Sequence, residues 1–176
     1  MKYLLLNLLA CSLVLIACSA ALAQAPMLME NPTVSRTQIA FSYAGDIWVV
    51  PLAGGEARPI ARTPARELFP VFSPDGSEIA FARFNPATGP MGWDVFVASA
   101  SGGGERRITY HPDVDIPVNW TPDGKNLVFM SYRYTTGPVT HLFTVPAQGG
   151  FATEVPVPRG CSRSPIFIGH FLSYCG

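Results

Sequence analysis

One feature limits the folds open to this chain more than any other: it repeats itself every 47–48 residues. Asp46-Ile47-Trp48-Val49-Val50, Asp94-Val95-Phe96-Val97-Ala98 and His141-Leu142-Phe143-Thr144-Val145 start 48 and 47 residues apart. Each leads into glycines: Gly54-Gly55, Gly102-Gly103-Gly104 and Gly149-Gly150. A second landmark has the same spacing. Ser73-Pro74-Asp75-Gly76 precedes Ile79-Ala80-Phe81, and Thr121-Pro122-Asp123-Gly124 precedes Leu127-Val128-Phe129. The first copy is degenerate, with Ser35-Arg36-Thr37 leading into Ile39-Ala40-Phe41.

The landmarks have a physical meaning. In Pro-Asp-Gly, Pro presets φ, Asp bonds nearby backbone and Gly accepts positive φ, so the chain reverses tightly. Gly-Gly between two β-rich runs is another hairpin turn. The runs between turns are rich in Val, Ile, Phe, Trp and Thr, residues that suit a pleated surface. The chain carries 17 Pro and 16 Gly, all from Pro26 onward, and this punctuation excludes a helix bundle.

Each repeat then holds four short strands. The expected positions are 32–35, 38–43, 46–52 and 57–60 in the first copy. They are 69–73, 78–83, 94–99 and 106–109 in the second, and 116–120, 126–132, 141–147 and 152–155 in the third. Four antiparallel strands per unit of this length is the pattern of a β-propeller blade. A meandering sandwich or barrel is the alternative. The expected fold is all-β: a partial propeller of about three blades, at 30–60, 69–109 and 116–155, within 24–159. That is the start of a six- or seven-bladed ring. Residues 160–176 lack the Pro-Asp-Gly turn and read as a divergent tail or an incomplete fourth blade, which suggests a truncated or frame-shifted product.

Residues 1–23 read as an export signal, and as the chain's one helix. Lys2 supplies the charge, Leu4 to Ala17 the apolar run, and Ala21-Leu22-Ala23 a small-x-small pattern that places cleavage between Ala23 and Gln24. The run is too short for a membrane span. Leu15-Ile16-Ala17-Cys18 fits a second route, in which Cys18 is acylated and holds the protein at a membrane. Both routes predict a periplasmic or secreted protein. Cys161 and Cys175 are the cysteines outside the signal, and they can pair in an oxidising compartment. The 12 basic and 12 acidic residues balance, which argues against a nucleic-acid partner.

The repeat resembles the WD-like propeller repeat of bacterial exported proteins, found in TolB and the tricorn-type proteases. The residues that carry this are Ser73-Pro74-Asp75-Gly76, Ile79-Ala80-Phe81, Asp94-Val95-Phe96-Val97 and Gly103-Gly104-Glu105, with Arg107-Ile108-Thr109. The stretch from Ile39 to Arg58 is similar to the first propeller of tricorn protease homologues. The resemblance covers about residues 30–159. It implies a propeller that docks or admits peptides for a serine peptidase carried by the rest of a larger chain. A TolB-like scaffold that binds envelope proteins is the rival.

No catalytic constellation is present: there is no Gly-x-Ser-x-Gly elbow, no His-Glu-x-x-His, and no phosphate-binding glycine loop opening a helix. No cofactor and no metal are expected. Asp113 and Asp115 with His111 are too few oxygens for calcium and read as a solvated turn. In a four-strand meander the short turns share one end of the blade. The long connections, 85–92, 134–140, 61–68 and 110–116, share the other, where binding groups concentrate. Arg83 and Arg133, at the ends of second strands, are candidates to fork a carboxylate such as a peptide C-terminus. The alternative for both is a salt bridge between blades or a capped strand end. Trp93, Tyr110 and Tyr134 offer stacking surfaces, or pack between blades.

Overall fold

A computed structural model describes residues 28–90, 92–133 and 140–156. The export signal with Cys18, Ala23 and Gln24, as well as Tyr134, Cys161, Cys175 and the tail beyond 156, lie outside the described residues.

Three four-stranded antiparallel sheets follow one another along the chain. Blade 1 is β1 (Glu30–Val34), β2 (Gln38–Tyr43), β3 (Asp46–Pro51) and β4 (Arg58–Ala61). Blade 2 is β5 (Glu67–Phe72), β6 (Glu78–Phe84), β7 (Trp93–Ser99) and β8 (Arg106–Arg107). Blade 3 is β9 (Asp115–Trp120), β10 (Asn126–Ser131), β11 (His141–Pro146) and β12 (Thr153–Glu154). Each blade is a plain meander in which every strand pairs with its chain neighbour. The three inner strands β1, β5 and β9 lie beside one another, as around a propeller axis. A short 3-10 turn at Pro86–Thr88, capped by the Asn85 side chain, interrupts the β6–β7 loop.

The tight turns form by the local chemistry of their residues. Ser73 Oγ donates to Asp75 Oδ1 at 2.6 Å, and the same carboxylate oxygen accepts from Ser77 N at 3.0 Å. Thr121 and Asp123 repeat this, at 2.6 Å, with Lys125 N donating at 3.1 Å. These bonds favour the ionised form and hold the Asp75 carboxyl down at about 2. In the degenerate first copy Ser35 takes over, its Oγ accepting from Gln38 N at 3.0 Å.

The inner strands open earlier than the apolar runs suggest, because an acidic residue starts each one: Glu30, Glu67 and Asp115. Each then carries a proline, Pro32, Pro70 or Pro117, and a register shift against its neighbour. Proline lacks the N–H a ladder needs, so it fits a strand with one unpaired edge, especially at a bulge. Asn31 and Phe69 take φ of 52° and 58° at these bulges.

The core lies between sheets. Ala40, Ile47 and Val49 of blade 1 pack on Phe72, Ile79, Phe81 and Ala98 of blade 2. Ala80, Val95 and Val97 on the other face of blade 2 pack on Trp120, Leu127, Phe129, Phe143 and Val145 of blade 3. Polar contacts tie the same seams together. Arg58 Nη2 donates to Ala100 O at 2.8 Å, Arg106 Nε to Ala147 O at 3.1 Å, and Trp120 Nε1 to Val71 O at 3.1 Å.

Candidate functional site

Strand direction places the starts of β1, β3, β5, β7, β9 and β11 at one end of the blades, with the ends of β2, β6 and β10. The long connections lie there, and so do the charged groups. Arg83, on β6, lies across from Glu67 in register and binds it twice, Nε at 2.9 Å and Nη2 at 2.7 Å from Oε1. Glu105 closes on the other side of the same guanidinium. Arg133 Nη2 donates to Asp115 Oδ2 at 2.6 Å. Asp94 accepts from Arg107 at 2.8 Å and from Asn85 Nδ2 at 3.1 Å.

Arg83 and Arg133 do not occupy equivalent strand positions. Arg83 pairs with Asp94, and the residue that pairs with His141 at the matching place in blade 3 is Ser131. Arg133 lies two residues further on, yet its guanidinium reaches the matching place. It sits 5.1 and 4.9 Å from the rings of Phe129 and Phe143, as Arg83 sits 5.4 and 4.3 Å from Phe81 and Phe96. Both ion pairs lie within a blade, which fits the capped strand end and not the salt bridge between blades.

Glu67, Asp94 and Asp115 are fully buried. Each keeps one carboxylate oxygen without a hydrogen-bond partner among the described residues. Burial raises the carboxyl pKa of Glu67 and of Asp115, against the opposing pull of Arg83 and Arg133. These forks are committed to protein carboxylates and hold the strand ends together.

The remaining candidates are spread out. Trp93 is half-buried, its ring 5.5 Å from that of its cross-strand partner Phe84. Tyr110 is exposed, with the Arg107 guanidinium 4.4 Å above its ring. Asp115 turns inward to Arg133 whereas Asp113 stays at the surface, 3.4 Å from His111 Nδ1. Among the described residues no group of three or more His, Cys, Asp or Glu is placed to hold a metal ion.

The sequence pattern pointed to this end and to the 61–68 connection, but singled out none of the residues that line a cleft here between blades 1 and 2. It has a volume of about 580 Å³ and is bounded by the β2–β3 turn and the link between blades. Glu30, Asp46 and Arg66 bring charge to its walls, Tyr43 a ring, and Thr63 and Ser42 hydroxyls. Ser42 is buried, and its Oγ has no hydrogen-bond partner among the described residues. The two ion pairs here are loose: Arg66 to Glu30 and Arg62 to Asp46, each at 3.8 Å. Of the acidic residues that open the inner strands, only Glu30 reaches the cleft wall.

Stacked four-stranded meanders sharing an inner-strand axis define a β-propeller module. The tricorn protease N-terminal beta propeller domain family matches residues 26–166, and the chain belongs to that family. Among solved structures, the chain is similar to the tricorn protease, with 25% identity and a TM-score of 0.60 over 70% of this chain and 13% of that one. It is similar to TolB from Acinetobacter baumannii, with 20% identity and a TM-score of 0.60 over 75% of this chain and 33% of that one. The β-propeller domain of the Trilobed protease from Pyrococcus furiosus matches at 18% identity and a TM-score of 0.57, over 74% of this chain and 43% of that one. The chain thus spans less than half the length of each of these three solved chains. No curated protein matches it.

Proposed function

We propose that this chain is a non-catalytic propeller module of an exported tricorn-type serine peptidase, and that it docks or admits peptide substrate. The observation that carries this reading is the cleft of about 580 Å³ at the long-loop end, in a chain of the tricorn propeller family. The charge at Glu30 and Asp46 is only loosely countered, which suits the ammonium of a peptide N-terminus or of a basic side chain. Export rests on residues 1–23, with Cys18 acylation as the route that adds a membrane anchor.

Fluorescence anisotropy with labelled peptides, free or acetylated at the N-terminus, tests the proposal. A charge-assisted hydrogen bond contributes about 1.5–3 kcal/mol. Asp46→Asn is therefore expected to weaken binding of the free form roughly tenfold or more, and to leave the acetylated form little changed. Equal binding of all peptides by both proteins refutes the reading.

The TolB similarity favours a second reading, a scaffold that docks other envelope proteins. The two differ in the gene beyond codon 176. PDZ-like and serine protease segments support the first, and a stop after six or seven blades supports the second.

A further inference from the structure

Glu67 lies behind the cleft, in the seam between blades 1 and 2. One wall of the cleft is the 61–68 link, which contributes Thr63, Pro64, Ala65, Arg66 and Leu68. Glu67 ties that link down twice. Its N–H donates to Gly45 O at 2.7 Å, in the tight β2–β3 turn that bounds the cleft on the blade 1 side. Its carboxylate accepts from the Thr63 hydroxyl at 3.1 Å. Thr63 Oγ1 also accepts from Ala65 N at 3.2 Å, so the same hydroxyl shapes the bend of the link.

The two carboxylate oxygens of Glu67 are used unequally. Oε1 takes the bonds from Thr63, Arg83 Nε and Arg83 Nη2. Oε2 is buried and has no hydrogen-bond partner among the described residues. A proton on Oε2 therefore neutralises the buried charge without displacing a donor. The titratable groups on the elements packed against β5 are Glu30 on β1, Tyr43 on β2, Asp46 on β3, Glu78 and Arg83 on β6 and Asp115 on β9. Arg62 and Arg66 flank Glu67 in the link and lie 3.8 Å from Asp46 and Glu30. Arg83 is the group among these that bonds Glu67, and it also holds Glu105. It thus keeps a charged partner when Glu67 is neutral. Burial raises the Glu67 carboxyl above its ordinary value, Arg83 and Thr63 pull it down, and the Glu105 charge pushes it up.

We propose that Glu67 is a proton-operated latch on the cleft: ionised, it holds the 61–68 link in place, and a solvent proton taken up at Oε2 releases the link. A hydroxyl bonded to a carboxylate is held about twice as strongly as one bonded to a neutral oxygen. Neutral Glu67 therefore loosens Thr63, whose hydroxyl has Ala65 O, 3.3 Å away, as its other acceptor. The wall gains freedom, and the cleft holds its occupant more weakly in acid. Stability of the whole fold moves the other way for this group. A carboxyl with a raised folded pKa contributes most while protonated and loses that contribution as pH rises through the folded value. Opening of the wall in acid is thus local. The latch rests on the peptide-docking reading only for what the cleft holds.

Hydrogen exchange of the Ala65 and Glu67 amides in the full chain, corrected for the intrinsic effect of pH, tests the latch. It needs no peptide, so failure of the latch and failure of the docking reading register separately. Protection of both amides is expected to fall about tenfold between pH 8 and pH 4.5, along a single-proton curve. Glu67→Gln is expected to show the acid level of protection at both pH values. Thr63→Val keeps the pair between Glu67 and Arg83 but removes the bond to the link. It is expected to show the same low protection at both pH values, with the β circular dichroism spectrum of the unmodified protein. Protection indifferent to pH in the unmodified chain overturns the proposal, as does a pH response that survives in either variant.

Discussion

Removing Arg83 tests whether the buried charges at the strand ends hold the blade together. In Arg83→Met the Glu67 carboxylate loses a partner bonded at 2.9 and 2.7 Å and keeps only the Thr63 hydroxyl at 3.1 Å. Glu67 is fully buried, so the charge left behind is uncompensated. Breaking a buried pair in this way costs about 3–5 kcal/mol. The methionine keeps much of the packing on Phe81 and Phe96 but loses the cation over the Phe96 ring, worth roughly 0.5–2 kcal/mol. The assay is urea unfolding at pH 5 and pH 8. The Glu67 pKa in the folded protein is already raised by burial, and losing Arg83 removes a group that lowers it. A carboxyl with a raised folded pKa contributes most stability while it is protonated. That contribution is lost as pH rises from the ordinary carboxyl range through the folded value. The deficit of Arg83→Met should therefore be larger at pH 8 than at pH 5. Glu67→Gln combined with Arg83→Met removes the orphaned charge and should recover most of the loss. A deficit under about 1 kcal/mol in Arg83→Met refutes the reasoning, as does a double variant as unstable as the single one.

Other consequences are simpler. Asp75 is held at about 2 by its turn bonds, so its contribution to stability is present above the ordinary Asp value and fades as pH falls toward 2; Asp75→Asn should lower the urea midpoint at pH 7 and match the unmodified protein near pH 2. Gly76 has φ of +75°, and an added Cβ would lie 3.2 Å from Ser35 Cβ, whereas Gly54 at φ of +88° has open space around it. Gly76→Ala should then cost more than about 1 kcal/mol and Gly54→Ala less than Gly76→Ala, as measured by thermal unfolding.

The sequence alone determined the repeat, the four strands in each unit and the stacking of units into a propeller. It did so because the signals are local. Pro-Asp-Gly bends the chain through bonds that span two to five residues, such as Ser73 to Asp75 and Glu78 N to Ser73 Oγ. The apolar runs between turns alternate with the period of a strand. The site was less legible. Arg83 and Arg133 were visible as charged residues at strand ends, but their partners Glu67 and Asp115 are 16 and 18 residues away. Only cross-strand register, shifted by a bulge in each inner strand, brings these groups together. The prolines at 32, 70 and 117 fell within the expected first strands, and only the fold places them beside the register shifts of the inner strands. The tertiary structure also decided which faces are spent on neighbouring blades. Burial depends on what stacks against a sheet, and a strand's own residues specify only that one face is apolar, not what will cover it.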